Sequence, residues 1–240
     1  VRSSLALAPE LRRNVFMYDS RERAIADDPV EHFRAADLIC IDGIEWPAME
    51  EVRRGLIDKR RKFGEPFHAP DEIKASLPAM DAIAMKADDL FCDLYPFPPM
   101  PRKYSFRPMI TGPEPIHFDT DDAPQPVVTA FINVATTPRR YSVGPTFADL
   151  VRDQPDQMRQ IIANGGNTSY AIRGSTVRGE GPLLNSGPAH RVDFAPGAIW
   201  FFCAKRVSHQ IVYGAGAIGR SWILPPGSAP MQVDLLRELH

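Results

Sequence analysis

The spacing of apolar positions changes character part-way along the chain. Between residues 36 and 95 they come first as one short continuous run and then at helical intervals, whereas between 103 and 225 they come as brief runs separated by Gly, Pro and Asn. The run "ADLICIDGI" at 36–44 closes on Asp42-Gly43 and predicts a strand. The segment behind it, "PAMEEVRRGLIDKRR", opens with Pro47 at a first helical position and early glutamates, and so predicts a helix. The last turn of that helix takes the basic run "DKRRK" at 58–62, where cations favourably meet the helix dipole. A second helix is expected from about Ser76, with Leu77, Met80, Ala84, Ala87, Phe91 and Leu94 forming one stripe suited to core packing. The connector "YPFPPMPRK" at 95–103, with four prolines in nine residues, is extended.

Past this connector the runs "KYSFRPMI", "PVVTAFINVAT", "RYSVG", "TSYAIRGSTV", "HRVDF", "GAIWFFCA", "HQIVYG" and "GRSWILP" read as eight strands. Such a series predicts a mainly β fold with supporting helices, a double-sheet jelly roll or barrel. One helical interruption, "TFADLVRDQPDQMRQIIANGG", stops on Asn164-Gly165. The expected organisation is a single domain over 1–240, with a strand and buttressing helices in 36–95 and the β-core in 103–225.

Composition excludes several function classes. With 28 basic and 30 acidic residues the net charge is −2, so nothing marks a nucleic-acid binder. No apolar run reaches the length of a membrane span, and the opening "VRSSLALAPELRR" is too short for a secretory signal. The three cysteines, Cys40, Cys92 and Cys203, are widely spaced within apolar segments and read as reduced core thiols. The expectation is a cytoplasmic protein acting on a small molecule, its oligomeric state open.

Chemistry enters at "PEPIHFDTDD", residues 113–122. His117 and Asp119 are two apart, so on a strand they share a face, and His209, 90 residues after Asp119, opens a strand on the opposing sheet. Two imidazoles and a carboxylate suit a non-haem Fe(II) that must keep positions open for substrate and oxygen. Arg220 lies eleven residues past His209, beyond a Gly-rich turn, and a guanidinium is a natural bidentate partner for an acid held at such a metal. Arg107 shares a strand face with Lys103 and Ser105, and Asn133 with Thr129 and Phe131, which makes both candidates for facing the cavity beside the metal. Asp121 and Asp122 are read as loop carboxylates, and His32, His68, His190 and His240 as surface or hydrogen-bonded residues, His190 being the rival for the distal ligand. Arg139, Arg140 and Arg206 are placed in solvated turns near the mouth, where they would steer an anionic substrate.

The ordered set His117, Asp119, His209 and Arg220, with "FAPGAIWFF" before the distal histidine, resembles the Fe(II)/2-oxoglutarate-dependent oxygenases. That resemblance implies a double-stranded β-helix, cupin-like catalytic core over 103–225, with Fe(II), 2-oxoglutarate and O2 as the reaction partners, ascorbate as an expected stimulant, and Arg220 as the anchor of the distal carboxylate. It implies hydroxylation of an aliphatic C–H bond, since Asp119 stands where halogenases of the family lack a carboxylate. Ser221 directly follows Arg220, whereas many members place a serine two residues on, so Trp222 takes that position. A narrower similarity, in "YSFRPM", "FINVATTPRRYSVG", "FAPGAIWFFCAKRVSH" and "LPPGSAPMQVDLLREL", is to bacterial Kdo hydroxylases, implying an acidic sugar or related metabolite. The alternatives are a cupin-type isomerase or dioxygenase that does not use 2-oxoglutarate, and a β-barrel binding module without chemistry.

Overall fold

Alternation along the strands sorts their side chains into two cores. In the computed structural model, residues 2–3, 15–34, 38–56, 60–61, 74–96, 100–101, 105–107, 109–110, 116–119, 125–163 and 189–228 are described. The N-terminal part supplies β1 (Arg2–Ser3), β2 (Val15–Tyr18), α1 (Arg21–Ala26), α2 (Pro29–Arg34), β3 (Leu38–Ile41), α3 (Met49–Leu56), β4 (Arg60–Arg61) and α4 (Leu77–Leu94). Then come β5 (Met100–Pro101), β6 (Ser105–Arg107), β7 (Met109–Ile110), β8 (Val127–Asn133), β9 (Arg139–Thr146), α5 (Phe147–Asp153) and α6 (Pro155–Ala163). Last are β10 (His190–Phe194), β11 (Ile199–Phe202), β12 (Val207–Tyr213) and β13 (Ala217–Ile223).

The larger sheet runs β1-β2-β3-β11-β8-β13-β5, with β6 also on β13, and the smaller runs β10-β9-β12. Every residue of β8 is buried, as a central strand covered on both faces requires. Its Val128, Ala130 and Ile132 join Ile199, Phe201, Ile218 and Trp222 against Met80, Ile83, Ala87 and Phe91 of α4, forming the outer core. Its Phe131 joins Trp200, Phe202 and Ala217 against Tyr141, Val143, Val192, Phe194 and Ile211 of the smaller sheet, forming the inner core of the jelly roll. Phe194 stacks on Trp200 across that interior with ring centres 4.0 Å apart, and Phe91 stacks on Trp222 on the helix side at 4.3 Å. Burying aromatic side chains of this size contributes about 1.5–3 kcal/mol each, so α4 holds the sheet by its apolar stripe.

Several local expectations are corrected. The helix after β3 begins at Met49, not at Pro47, because Ala48 takes a positive φ of 52° that no helix accepts. It ends at Leu56, and Arg60 and Arg61 of the basic run form a parallel bridge to Met109 and Ile110, where the dipole of α3 no longer acts. The interruption after β9 is two helices. Thr146 closes a capping box with Asp149 at the start of α5, and Pro155, which cannot continue a helix, starts α6. Cys40 and Cys203 are core thiols as expected, but Cys92 is exposed on α4. The run "TSYAIRGSTV" and the Asn164-Gly165 stop lie outside the described residues. Among the described residues no helix is long and apolar enough to cross a membrane.

Candidate metal centre

His117 and His209, 92 positions apart in sequence, meet as a directly opposed antiparallel pair that exchanges both backbone hydrogen bonds, each 2.9 Å. Directly opposed residues send their side chains to the same side, so the pairing brings both imidazoles to one wall of the barrel. Asp119, two residues after His117, is fixed by its own N–H, which donates to the Ala204 carbonyl in the β11–β12 turn at 2.9 Å. Asp119 Oδ1 then lies 3.6 Å from Nε2 of His117 and 3.6 Å from Nε2 of His209. The imidazoles are buried while the Asp119 side chain is 41% exposed, so the cluster opens to solvent on the carboxylate side.

These donors fit a transition-metal ion. Two ligands each about 2.1 Å from a metal, at an angle of about 90–120°, stand roughly 3.0–3.6 Å apart. One ligand atom from each of the three residues can be chosen with all within 4.8 Å of one another. The ring of His209 is also oriented. Its Nδ1 is 3.1 Å from the Val207 carbonyl, which can only accept, so the proton sits on Nδ1 and Nε2 keeps its lone pair for a metal. Phe202 packs edge-on against the same ring at 4.9 Å, holding its plane.

The remaining site expectations divide by strand face. On β13, Ala217 belongs to the inner core, whereas Ile218 and Trp222 belong to the outer one. Arg220 therefore points away from the barrel, toward α4, where Nε donates to Asp88 Oδ1 at 2.8 Å and Nη2 donates to Oδ2. The same Asp88 accepts from Trp222 Nε1 at 2.7 Å. The physical reason is packing: Trp222 and Ile218 fill the space beneath α4, and alternation carries Arg220 with them. The inward face of β13 is left with Ala217, Gly219 and Ser221. Ser221 Oγ meets Thr129 Oγ1 at 3.3 Å, and a Cβ at Gly219 would stand 3.0 Å from both the Phe131 ring and Ser105 Oγ.

Asn133 does face inward, but its amide is used by the backbone. Nδ2 donates to Thr137, Phe194 and Ala195 carbonyls at 3.0–3.2 Å, and Oδ1 accepts from the Ala135 N–H at 3.1 Å. It ties two strand ends together. Arg107 is paired with Ala217 in the backbone register, at the same end of the barrel as Asn133.

Three residues read as solvated or peripheral prove to be buried. His190 is 5% exposed and lies on β10 opposite Val143, which itself opposes His209. Arg206 and Lys205 are buried in the turn that carries Ala204, and Arg206 Nη2 donates to the Arg34 carbonyl at 3.0 Å. Burial pulls the Arg206 guanidinium pKa below its ordinary value. Arg139 is wholly buried at the far end of the barrel from the triad, while its neighbour Arg140 is exposed and forms a bidentate pair with Asp193 at 2.7 and 2.8 Å. The signal that separates the two arginines is alternation: Arg139 shares parity with Tyr141 and Val143 of the inner core. His32 is half-buried against Phe16 and 3.6 Å from Asp27. His68, His240, Asp121 and Asp122 lie outside the described residues.

No protein-family model matches the chain, and no curated protein matches it in sequence. Solved structures do resemble it in fold. The Kdo hydroxylase KdoO, described as a non-haem Fe(II) α-ketoglutarate-dependent dioxygenase and solved with α-ketoglutarate and Fe(III), superposes with a TM-score of 0.69 at 15% identity, covering 93% of this chain and 95% of that one. The cobalt(II) complex of the same enzyme gives 0.68, also at 15% identity, over 93% of this chain and 95% of that one. SnoK, a non-haem α-ketoglutarate-dependent carbocyclase from nogalamycin biosynthesis, gives 0.51 at 14% identity over 88% and 90%. The chain has the double-stranded β-helix fold of these proteins.

Proposed function

We propose that the chain is an Fe(II)- and 2-oxoglutarate-dependent oxygenase that hydroxylates an aliphatic C–H bond of a small acidic metabolite or sugar. The observation that carries this reading is the convergence of His117 Nε2, Asp119 Oδ1 and His209 Nε2 on one wall of the jelly roll, at separations a single metal spans. With iron and 2-oxoglutarate bound there, the group would supply the oxidising chemistry with O2. The chain's own part is positional. Val207 holds His209 in the tautomer that presents a lone pair, the Ala204 carbonyl fixes the backbone of Asp119, and the exposed side of Asp119 leaves an approach for substrate. Phe202 packs on the His209 ring with Phe131 behind it, and these rings would keep water from the reacting groups.

The acidic character of the substrate is supported by Lys205 and Arg206, buried in the turn that holds Asp119, and by the fold shared with an enzyme named for an acidic sugar. The second reading, a cupin-type enzyme that does not use 2-oxoglutarate, is favoured by one observation, the outward pairing of Arg220 with Asp88.

The test is anaerobic loading with Fe(II), then O2 with 2-oxoglutarate and ascorbate in the presence of acidic metabolites and sugars, followed by mass spectrometry for succinate and for a product heavier by one oxygen. His209→Ala should lose iron and turnover together while keeping the fold. Metal binding without succinate would establish the cupin reading, and no metal binding would leave a binding module.

A further inference from the structure

We propose that Arg139, and not Arg220, is the anion anchor of the cosubstrate site, holding the carboxylate that a 2-oxo dicarboxylic acid directs away from the metal. This inference rests on the oxygenase reading above and deepens it. Arg139 opens β9 on the face that carries Tyr141 and Val143 into the inner core, and it is 0% exposed. Its Nη1 donates to the Ala215 carbonyl in the β12–β13 turn, and its guanidinium carbon lies 5.8 Å from the centre of the Tyr141 ring. Among the described residues, Nε and Nη2 are buried and meet no acceptor.

A guanidinium is permanently charged and can only donate, so burying it with two free N–H-bearing nitrogens is costly unless something supplies acceptors. A second donor on the same inner core repeats the request. Trp200 is fully buried against Tyr141, with ring centres 5.4 Å apart, and its Nε1 also lacks an acceptor among the described residues. A carboxylate, which when ionised only accepts, matches both. Arg220 offers nothing comparable, since its fork is turned outward and bound by Asp88.

The spacing suits a short dicarboxylate. Val143 opposes His209, and Arg139 lies four residues before Val143 on β9, about 13 Å at the usual strand rise. An extended arginine side chain spans roughly half of such an interval by ordinary bond lengths. Its guanidinium is tied at its own end of the barrel by the Ala215 carbonyl, so the acid would have to cross the interval that remains. On the facing strand, Ala217 and Gly219 of β13 present almost no side chain of their own to the interior, and the Phe131 ring packs over Gly219.

The experiment is calorimetric titration, under anaerobic conditions, of Fe(II)-loaded protein with 2-oxoglutarate and with 2-oxopentanoate, which keeps the metal-chelating end and replaces the far carboxylate by a methyl group. The wild-type protein should prefer 2-oxoglutarate, and Arg139→Gln should lose about a hundred- to several-thousand-fold in affinity for it while binding 2-oxopentanoate nearly as before. Arg139→Lys, which keeps the buried charge without the fork, should fall between and serves where the glutamine variant does not retain one equivalent of iron. Arg220→Gln should titrate within a few-fold of wild type. The proposal is overturned if Arg139→Gln or Arg139→Lys binds 2-oxoglutarate like wild type, or if the loss appears instead in Arg220→Gln or Arg107→Gln. A wild-type protein that holds iron but binds neither keto acid would refute the oxygenase reading itself.

Discussion

Replacing Asp88 with alanine should destabilise the fold without weakening the metal or cosubstrate site. Asp88 accepts from three donor groups on β13, namely Arg220 Nε at 2.8 Å, Arg220 Nη2, and Trp222 Nε1 at 2.7 Å. The Arg220 side chain is 11% exposed and that of Asp88 28%, so the pair lies between the surface and the buried limit. Removing one partner of a buried pair costs about 3–5 kcal/mol, and water reaching this site lowers that to roughly 2. The Trp222 N–H, stranded beside a wholly buried ring, adds about 1 kcal/mol or more. The sum is about 3 kcal/mol, which for a chain of this size lowers the melting temperature by about 6–12 °C. Denaturant unfolding of Asp88→Ala, Arg220→Ala and the double variant measures it, with a coupling between the two singles of about 1–2 kcal/mol. The reasoning fails if Asp88→Ala unfolds like wild type, or if it keeps its stability while its affinity for 2-oxoglutarate changes, since Arg220 would then be free to serve the interior.

The exposed pair Arg140–Asp193 has a pH signature: the hydrogen-bonded guanidinium holds the Asp193 carboxyl below its ordinary value, so the pair's stabilisation is present above the unfolded carboxylate pKa and is lost as pH falls through the depressed one. Arg140→Ala should therefore melt slightly below wild type at pH 7 and coincide with it in strong acid, and a difference that grows on acidification would contradict the assignment. In the native protein a thiol reagent should label Cys92 alone, and slowly, because partial burial and then Asp88, Asp89 and Asp93 push its thiol pKa up. The rate should rise with pH, while Cys40 and Cys203, buried and shifted upward by that burial, react only on unfolding.

What the sequence made legible follows what each signal measures. The stripe on α4 was readable because helical periodicity reports a face directly, and Met80, Ala84, Ala87, Phe91 and Leu94 are all buried, with only Leu77 left partly open at the first turn. The triad was readable because His117 and Asp119 are two apart and His209 follows the "FAPGAIWFF" strand, which needs only strand order to bring them together. The outward turn of Arg220 was not legible because a spacing of eleven residues fixes a distance along the chain and not a side of the sheet. The alternation "AIGRSWI" carried the missing information, since Ile218, Arg220 and Trp222 share one face and the small Ala217, Gly219 and Ser221 the other. Arg139 and Arg140 look alike as adjacent charges until the start of β9 is known, and strand starts are poorly marked when a bend such as Ala135-Thr136-Thr137 precedes them. Proline at 47 mis-set α3 for a similar reason: the positive φ at Ala48 comes from how the chain leaves β3, which no local propensity records.

The strand order of the larger sheet has a consequence for synthesis. β13 is the last strand to leave the ribosome among those described, yet it lies between β8 on one side and β5 and β6 on the other. Until it arrives, β8 offers an open row of backbone donors and acceptors along its whole length, in a strand whose every residue is buried in the finished fold. A nascent chain released or stalled before residue 217 would thus hold both histidines and the aspartate of the centre and still present an adhesive edge to its neighbours. Co-translational quality control, more than catalysis, is where an interruption at this point in translation would be felt.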